Sequence, residues 1–138
     1  MNKFLFYASA RWFGEACLEL CIFRVTPDGK KQIYLLPRSA NDPFYPNMLH
    51  VPGVRKLPYD TDEDQIKRVL KETPYNFTRS YIKYSHSTTI GTSRGTEFAD
   101  VRYVLMAYNQ LDENFYDVDC LPENIIFFHR RFIEEASG

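Results

Sequence analysis

The stretch HVPGVRKLPYDTDEDQIKRVLKET, residues 50–73, contains the change of pattern on which the predicted fold rests. An extended segment at 48–51 is stopped by a Pro-Gly pair. Beyond a polar loop, apolar residues recur at helical spacing, and Thr61 or Asp62 can cap the start of the helix. The next proline stops the pattern. The stretch therefore predicts a short strand, a loop and an amphipathic helix over 61–73.

Upstream of this stretch, the sequence predicts a β-hairpin. Residues 15–25, EACLELCIFRV, alternate between an apolar side and a side that carries Glu15, Glu19 and two cysteines. A turn containing Pro, Asp and Gly separates this strand from a second one at 32–37. The loop at 38–47 is rich in turn-forming residues, so we expect it to be exposed.

Downstream, the pattern predicts two further strands and a second helix. The strands fall at 79–87 and 98–109, and the Gly-, Ser- and Thr-rich segment 88–96 between them is predicted to be a loop. A helix is predicted to begin near Leu121, where a proline and an acid occupy the first turn. This mixed order of elements predicts an α/β fold in which helices cover both faces of a sheet.

Length and charge restrict the classes of protein to which the chain can belong. At 138 residues we expect one domain, spanning 1–138. The net charge of −1 arises from 17 basic and 18 acidic residues that are mixed along the chain. No overall field therefore favours polymeric nucleic acid or an anionic membrane. The aromatic content of 16% is high, and it supplies rings for a core or for a binding pocket.

The cysteines and the apolar runs favour a reducing compartment. Cys17, Cys21 and Cys120 are odd in number and lack the spacing of a disulfide framework, so we expect free thiols and a cytoplasmic location. The apolar run before Arg11 is too short for a signal peptide. No run approaches the roughly 20 apolar residues of a membrane span. The sequence is compatible with a homodimer but does not determine the oligomeric state.

The order of these elements, together with several short motifs, resembles the Nudix superfamily. The similar segments are LLPR at 35–38, PN at 46–47, LHVPG at 49–53, RVLKE at 68–72 and RGTE at 94–97. The resemblance implies a Nudix-like α/β/α sandwich with a mixed sheet. It also implies a nucleotide or nucleoside diphosphate derivative as the ligand, and hydrolysis of its pyrophosphate with magnesium or manganese.

The acidic box of the family is incomplete in this chain. When the box is aligned on residues 54–76, Asp60 replaces its first Glu, while Arg68 and Glu72 match. Val69 and Thr73 occupy the positions of two other acids. Positions 69, 72 and 73 would share one helix face, where three carboxylates can converge on one cation. A face with one carboxylate predicts weak binding of Mg²⁺ or Mn²⁺.

The resemblance assigns roles to four residues. Asp60 and Glu72 are the predicted metal ligands, and Glu72 is also a predicted catalytic residue. Arg68 is predicted to pair with Asp60 and to position the site. Glu97 lies where the family often supplies a base from a later loop, and its alternative is a solvated loop end. Val69 has a further interpretation, in which it packs on the apolar stripe of the helix.

Six residues are predicted to contact the ligand. Aromatic rings stack on bases and arginine binds phosphate with two hydrogen bonds, so the predicted set is Phe44, Tyr45, Tyr59, Arg38, Arg55 and Arg94. In the alternative interpretation the two loop aromatics pack the loop down and the cations are solvated.

Two functions remain open from the sequence. One is a divergent pyrophosphohydrolase in which Asp60 or Glu97 completes the site around Glu72. The other is a non-catalytic Nudix-like module that binds a nucleotide or a protein partner. They differ in whether acids outside the helix replace the carboxylates that are missing at Val69 and Thr73.

Overall fold

The computed structural model describes residues 14–93 and 95–138. The strands and helices, in chain order, are β1 (Glu15–Val25), β2 (Lys31–Tyr34), β3 (Leu36–Pro37), β4 (Leu49–His50), β5 (Gly53–Arg55), α1 (Asp62–Leu70), β6 (Lys83–Thr92), β7 (Gly95–Met106), β8 (Phe115–Asp117) and α2 (Phe127–Ser137). Short 3₁₀ helices occur at Arg79–Tyr81 and Val118–Cys120. None of the helices within these described residues has the length and hydrophobicity of a transmembrane segment.

A mixed six-stranded sheet forms the centre of the fold, as the sequence predicts. The strand order is β6-β7-β1-β2-β8, and β5 pairs with the first half of β1. β1 runs parallel to β7 and antiparallel to β2 and β5. Along its length β1 therefore has a neighbour on both sides, with Glu19 opposite Gly53 and Phe23 opposite Ile33. β3 and β4 form a separate two-stranded sheet.

The two helices pack on opposite faces of this sheet. Leu18 and Leu20 of β1 lie in one buried cluster together with Ile66 and Val69 of α1. On the opposite face of β1, Cys21 and Phe23 lie in a second buried cluster with aromatic residues of α2, including Phe128. Each large apolar side chain buried in this way stabilises the fold by about 1.5–3 kcal/mol. The predicted α/β/α sandwich is confirmed.

The start of α1 agrees with the sequence, but its end does not. The Thr61 hydroxyl accepts a hydrogen bond from the Asp64 amide at 3.1 Å, and the Asp64 carboxylate accepts one from the Thr61 amide at 3.1 Å. The helix ends at Leu70, three residues earlier than predicted. The Thr73 hydroxyl donates to the Leu70 carbonyl at 2.9 Å and accepts from the Tyr75 amide at 3.1 Å. These bonds stabilise a turn in place of a further helical turn.

The predicted loop at 88–96 is wrong. β6 continues to Thr92 and β7 begins at Gly95, so most of that segment is strand. The β-branched residues Thr88, Thr89 and Ile90 suit a strand and face the first residues of β7. The predicted strand at 79–87 begins too early, because the segment 79–82 before β6 contains a 3₁₀ helix.

The predicted start of the second helix is also wrong, because α2 begins at Phe127. The preceding residues pair instead with β4. The Leu49 amide donates to the Asn124 carbonyl at 2.9 Å, and the Ile126 amide donates to the Leu49 carbonyl at 3.0 Å. The short strand β8 was not predicted.

Candidate functional site

Of the three positions of the predicted acidic face, one is buried in the core and two lie beyond the end of α1. Val69 is 0% exposed in the core between α1 and the sheet, which confirms its interpretation as a packing residue. Glu72 and Thr73 lie beyond the end of α1, in the turn. The predicted helix face at 69, 72 and 73 is therefore absent, and this segment contributes the single carboxylate of Glu72.

The carboxylate of Glu72 lies against the backbone at the start of β5. The Gly53 amide donates a hydrogen bond to Glu72 Oε2 at 3.3 Å. Burial raises the pKa of Glu72 above its ordinary value of 4.5, while this hydrogen bond and the positive charge of Arg38 oppose the rise. Burial lowers the pKa of His50 to about 4, and the positive charge of Arg38 contributes to this decrease. Arg38 is thus an electrostatic neighbour of both Glu72 and His50.

Gly53 allows a second carboxylate to approach the backbone at the start of β5. Glu19 of β1 is Gly53's partner in the β1–β5 register, and it is 4% exposed. A Cβ atom at residue 53 would overlap the Glu19 carboxylate. The absence of a side chain at Gly53 therefore leaves room for Glu19 on one side of the backbone, while the amide holds Glu72.

Farther along the same side of β1, three potential metal ligands meet. One ligand atom each from Glu15, Cys17 and Glu97 lies within 4.8 Å of the others, and all three residues are buried. The parallel register of β1 and β7 pairs Glu15 with Glu97. Glu97 is 0% exposed inside β7, so its alternative as a solvated loop end is wrong.

The sequence contained part of the signal for this cluster. Alternation along 15–25 places Glu15, Cys17 and Glu19 on one side of a strand. That strand pairs with β7, which carries Glu97. Because the two strands are far apart in sequence, the local alternation of residues does not predict this pairing. Cys17 was missed as a member of the site for the same reason.

Asp60 and Arg68 form the predicted pair. Arg68 Nη2 donates to Asp60 Oδ2 and to the Arg55 carbonyl, the latter at 3.0 Å. Asp60 Oδ2 also accepts from the Leu57 amide at 3.0 Å. The pair fixes the loop between β5 and α1. Within residues 14–93 and 95–138, neither Asp60 nor Glu72 belongs to a group of three ligands.

The two aromatics of the loop after β3 pack toward the α2 side of the sheet. Tyr45 is 7% exposed, and its ring lies 5.9 Å from that of Phe128. Its hydroxyl accepts a hydrogen bond from Ser93 at 3.1 Å. Phe44 is partly buried beside it, so the loop is not uniformly exposed as predicted. Base stacking by either ring stays a prediction.

The other predicted ligand-contacting residues lie at several places. Tyr59 is fully exposed in the loop before α1, at a positive φ of 65°. Arg55 is half-buried in β5. Arg38 approaches Asp42 at 3.4 Å, and among the described residues its Nε has no hydrogen-bond partner. Arg94 lies outside the described residues.

The donor set on β1 and β7 fits a divalent cation. Carboxylate oxygens of Glu15 and Glu97 suit Mg²⁺ and Mn²⁺, and the Cys17 sulfur adds a donor that softer metals prefer. Glu19 and Glu72 supply further carboxylates beside Gly53. Cys21, next along the same side, is a buried core residue, and burial followed by the charge of Glu19 raises the pKa of its thiol.

Comparison with known proteins identifies the fold. No protein-family model matches the sequence, and no curated protein sequence is significantly similar to it. Solved structures do match. The Nudix domain of Shewanella oneidensis NrtR, complexed with ADP-ribose, has a TM-score of 0.65 at 19% identity, covering 99% of this chain and 97% of that one. A MutT/nudix family protein from Enterococcus faecalis has a TM-score of 0.68 at 15% identity, covering 97% and 66%. The chain has the Nudix fold.

Two further matches differ in how much of the matched protein this chain covers. The Ap4A hydrolase of C. elegans has a TM-score of 0.63 at 14% identity, covering 89% of this chain and 96% of that one. Longer NrtR, with a TM-score of 0.67 at 18% identity, is matched over 88% of this chain and 61% of its own length. This chain thus spans about three fifths of that protein.

Proposed function

We propose that this protein binds a nucleoside diphosphate derivative together with a divalent cation. The proposed site is the side of β1 that carries Glu15, Cys17 and Glu19. The observation that carries the proposal is the meeting of Glu15, Cys17 and Glu97 within 4.8 Å on a Nudix fold. A diphosphate is repelled by carboxylates unless a cation lies between them. Mg²⁺ or Mn²⁺ bound there would neutralise the diphosphate and orient it.

The chain's own residues have distinct parts in this proposal. Glu15 and Glu97 would hold the cation, and Glu19 and Glu72 supply further carboxylates at Gly53, farther along β1. Arg68 is a positioning residue, because it fastens the loop to α1 through Asp60 and the Arg55 carbonyl.

The ligand's phosphates and base need other groups. Arg38 acts electrostatically on Glu72, so its guanidinium is the proposed contact for a phosphate oxygen. Arg55 and Arg94 are further proposed phosphate contacts. Tyr59, with its exposed ring, is the proposed stacking residue, and Phe44 and Tyr45 would support the loop that carries Arg38.

Hydrolysis is the second candidate function. It is favoured by the burial of Glu97 beside Glu15, since a buried carboxylate near a cation can serve as a general base. It is disfavoured by Val69 in the core, which leaves the helix without its set of three acids. Binding is therefore the main proposal, and turnover distinguishes the two.

Binding and turnover can be measured in one experiment. ADP-ribose is the probe, because a structure with the same fold contains it. Thermal unfolding and calorimetry with ADP-ribose and Mn²⁺ or Mg²⁺, against the same mixture with EDTA, report binding, and chromatography for AMP reports hydrolysis. We expect a metal-dependent rise in Tm, equivalent to about 2.7 kcal/mol when the ligand is at 100 times its Kd.

Matched variants assign the site. Glu97→Gln should remove the metal-dependent rise, while Glu123→Gln, an exposed acid outside the cluster, should keep it. AMP release that Glu97→Gln abolishes would establish the hydrolase. A rise in Tm without AMP supports the binding protein. No rise with either metal would overturn the proposal and favour a protein-interaction module.

A further inference from the structure

An apolar groove runs along the side of α1 that does not carry Arg68. Its volume is about 490 Å³, within the range of sites for small molecules. Residues of α1 and of the segment 75–79 line it. None of the acids proposed above to hold the cation lines the groove, so it is separate from the site of the proposed function.

Two aromatic rings form a preorganised wall of the groove. Tyr75 and Phe77 are stacked, with centroids 5.7 Å apart and planes at 27°. The edge contact of Tyr75 with Tyr34, at 5.4 Å, anchors this pair to the sheet. Burial is the main reason that the pKa of Tyr75 rises to about 12, so the ring stays neutral. Such a wall suits a flat aromatic ligand.

The charges around the groove favour an anion. Its lining contains Lys67, Lys71 and Arg79 but one acid, Glu63. Lys67 and Glu63 are both exposed and 3.6 Å apart, so their attraction is weak. Arg79 pairs with Asp62. Lys71 forms no ion pair within the described part of the chain, which leaves its charge for a ligand.

We propose that this groove is a second binding site, for a ligand that joins an aromatic heterocycle to one phosphate, as a nucleoside monophosphate does. The ring would pack against Tyr75 and Phe77, and the phosphate would lie near Lys71. The amide of Asn76, also in the lining, can pair with a base edge. A peptide helix is about 10–12 Å across and would need a longer groove, so a small molecule is the better occupant.

The test uses AMP as the probe, titrated calorimetrically at low ionic strength with EDTA present. EDTA keeps the metal-dependent site out of the measurement, so the two proposals fail independently. Adenosine and ribose 5-phosphate, which each carry half of the ligand, are titrated in parallel. We expect AMP to bind at least tenfold more tightly than either.

Variants locate the binding. Lys71→Glu should weaken AMP about tenfold through charge reversal near the phosphate, while Lys83→Glu, an exposed lysine on β6, should have no effect. Phe77→Leu keeps an apolar side chain but removes the ring, and should weaken AMP and adenosine alike. Equal affinity of AMP for wild type and Lys71→Glu would overturn the proposal, as would ribose 5-phosphate binding as tightly as AMP. Absence of AMP binding at millimolar concentration would do so too.

Discussion

Asp100 shows how a half-buried charge is stabilised on the side of β7 that faces α1. Its Oδ2 accepts from Lys56 Nζ at 2.9 Å, and its Oδ1 accepts from Arg102 Nε at 2.8 Å. Burial alone would raise the pKa of Asp100, but these hydrogen bonds outweigh it and hold the pKa below its ordinary value of 3.8. Arg102 also reaches Asp62 of α1 at 3.0 Å, so the network ties the helix to the sheet.

Asp100→Asn is expected to lose stability in a pH-dependent way. A depressed pKa in the folded state adds stability above the unfolded value, and that stability is lost as pH falls through the folded pKa. The variant should therefore be less stable than wild type by about 1–3 kcal/mol at neutral pH, with a smaller difference below pH 3.8. Urea unfolding at both pH values measures this. The exposed Asp119→Asn serves as the control, and an equal loss for Asp100→Asn at both pH values would contradict the prediction.

Val69→Glu restores the acid of the family box, yet it should not restore a metal ligand. Val69 is 0% exposed among apolar side chains, so a carboxylate there is buried without water. We expect a loss of about 3 kcal/mol or more in the free energy of unfolding. Thr73→Glu, in the turn, should cost about 1 kcal/mol, because it loses the hydroxyl bonds to Leu70 and Tyr75. A stable Val69→Glu protein with tighter Mn²⁺ binding would show that position 69 faces the site.

At the scale of elements, α1 depends on its first turn. Thr61 and Asp64 satisfy each other's amides in a capping box, and Asp62, Glu63 and Asp64 complement the helix dipole. This turn follows the loop that Asp60 and Arg68 hold, so the cap also fixes where the loop enters the helix. The loop and the helix are thus positioned together.

Thr61→Ala should cost about 1 kcal/mol of stability, because it removes the side-chain acceptor for the Asp64 amide. Thr78→Ala is a matched control, since Thr78 precedes the first 3₁₀ helix but makes no side-chain cap hydrogen bond there. Chemical unfolding of both variants gives the comparison. If both lose the same stability, the cost comes from the substitution itself and the capping box contributes nothing.

At the scale of the whole molecule, β1 connects every part of the central sheet. It pairs with β7 over ten residues, from Glu15 to Arg24, and with β5 and β2 on its other edge. Both helices also pack on it. Opening this strand would break two cores at once, so its amides should be the last to exchange with solvent.

Native-state hydrogen exchange is therefore expected to be slowest in the β1–β7 ladder and much faster in β8, an edge strand of three residues. Mass spectrometry of peptides or NMR of single amides resolves these segments. Amides of α1 that outlast those of β1 would instead identify the helix as the most stable unit of the fold.

Much of this architecture follows from local sequence. Alternation at 15–25, the Pro-Gly stop and the capping pattern at Thr61 are short-range signals, and the hairpin, the loop and the start of α1 agree with them. The errors also have local causes. The predicted α1 is too long because the Thr73 hydroxyl bonds to the backbone in a turn. The predicted start of α2 is too early because Asn124 and Ile126 pair with Leu49.

Local sequence is enough to predict the class of fold, the loop held by Asp60 and Arg68, and the absence of two acids at Val69 and Thr73. Where the remaining acids meet depends on long-range strand pairing. Glu15 and Glu97 are 82 positions apart, and parallel pairing of β1 with β7 sets them side by side. Such pairing depends on burying the whole sheet between two helices, which no local spacing encodes.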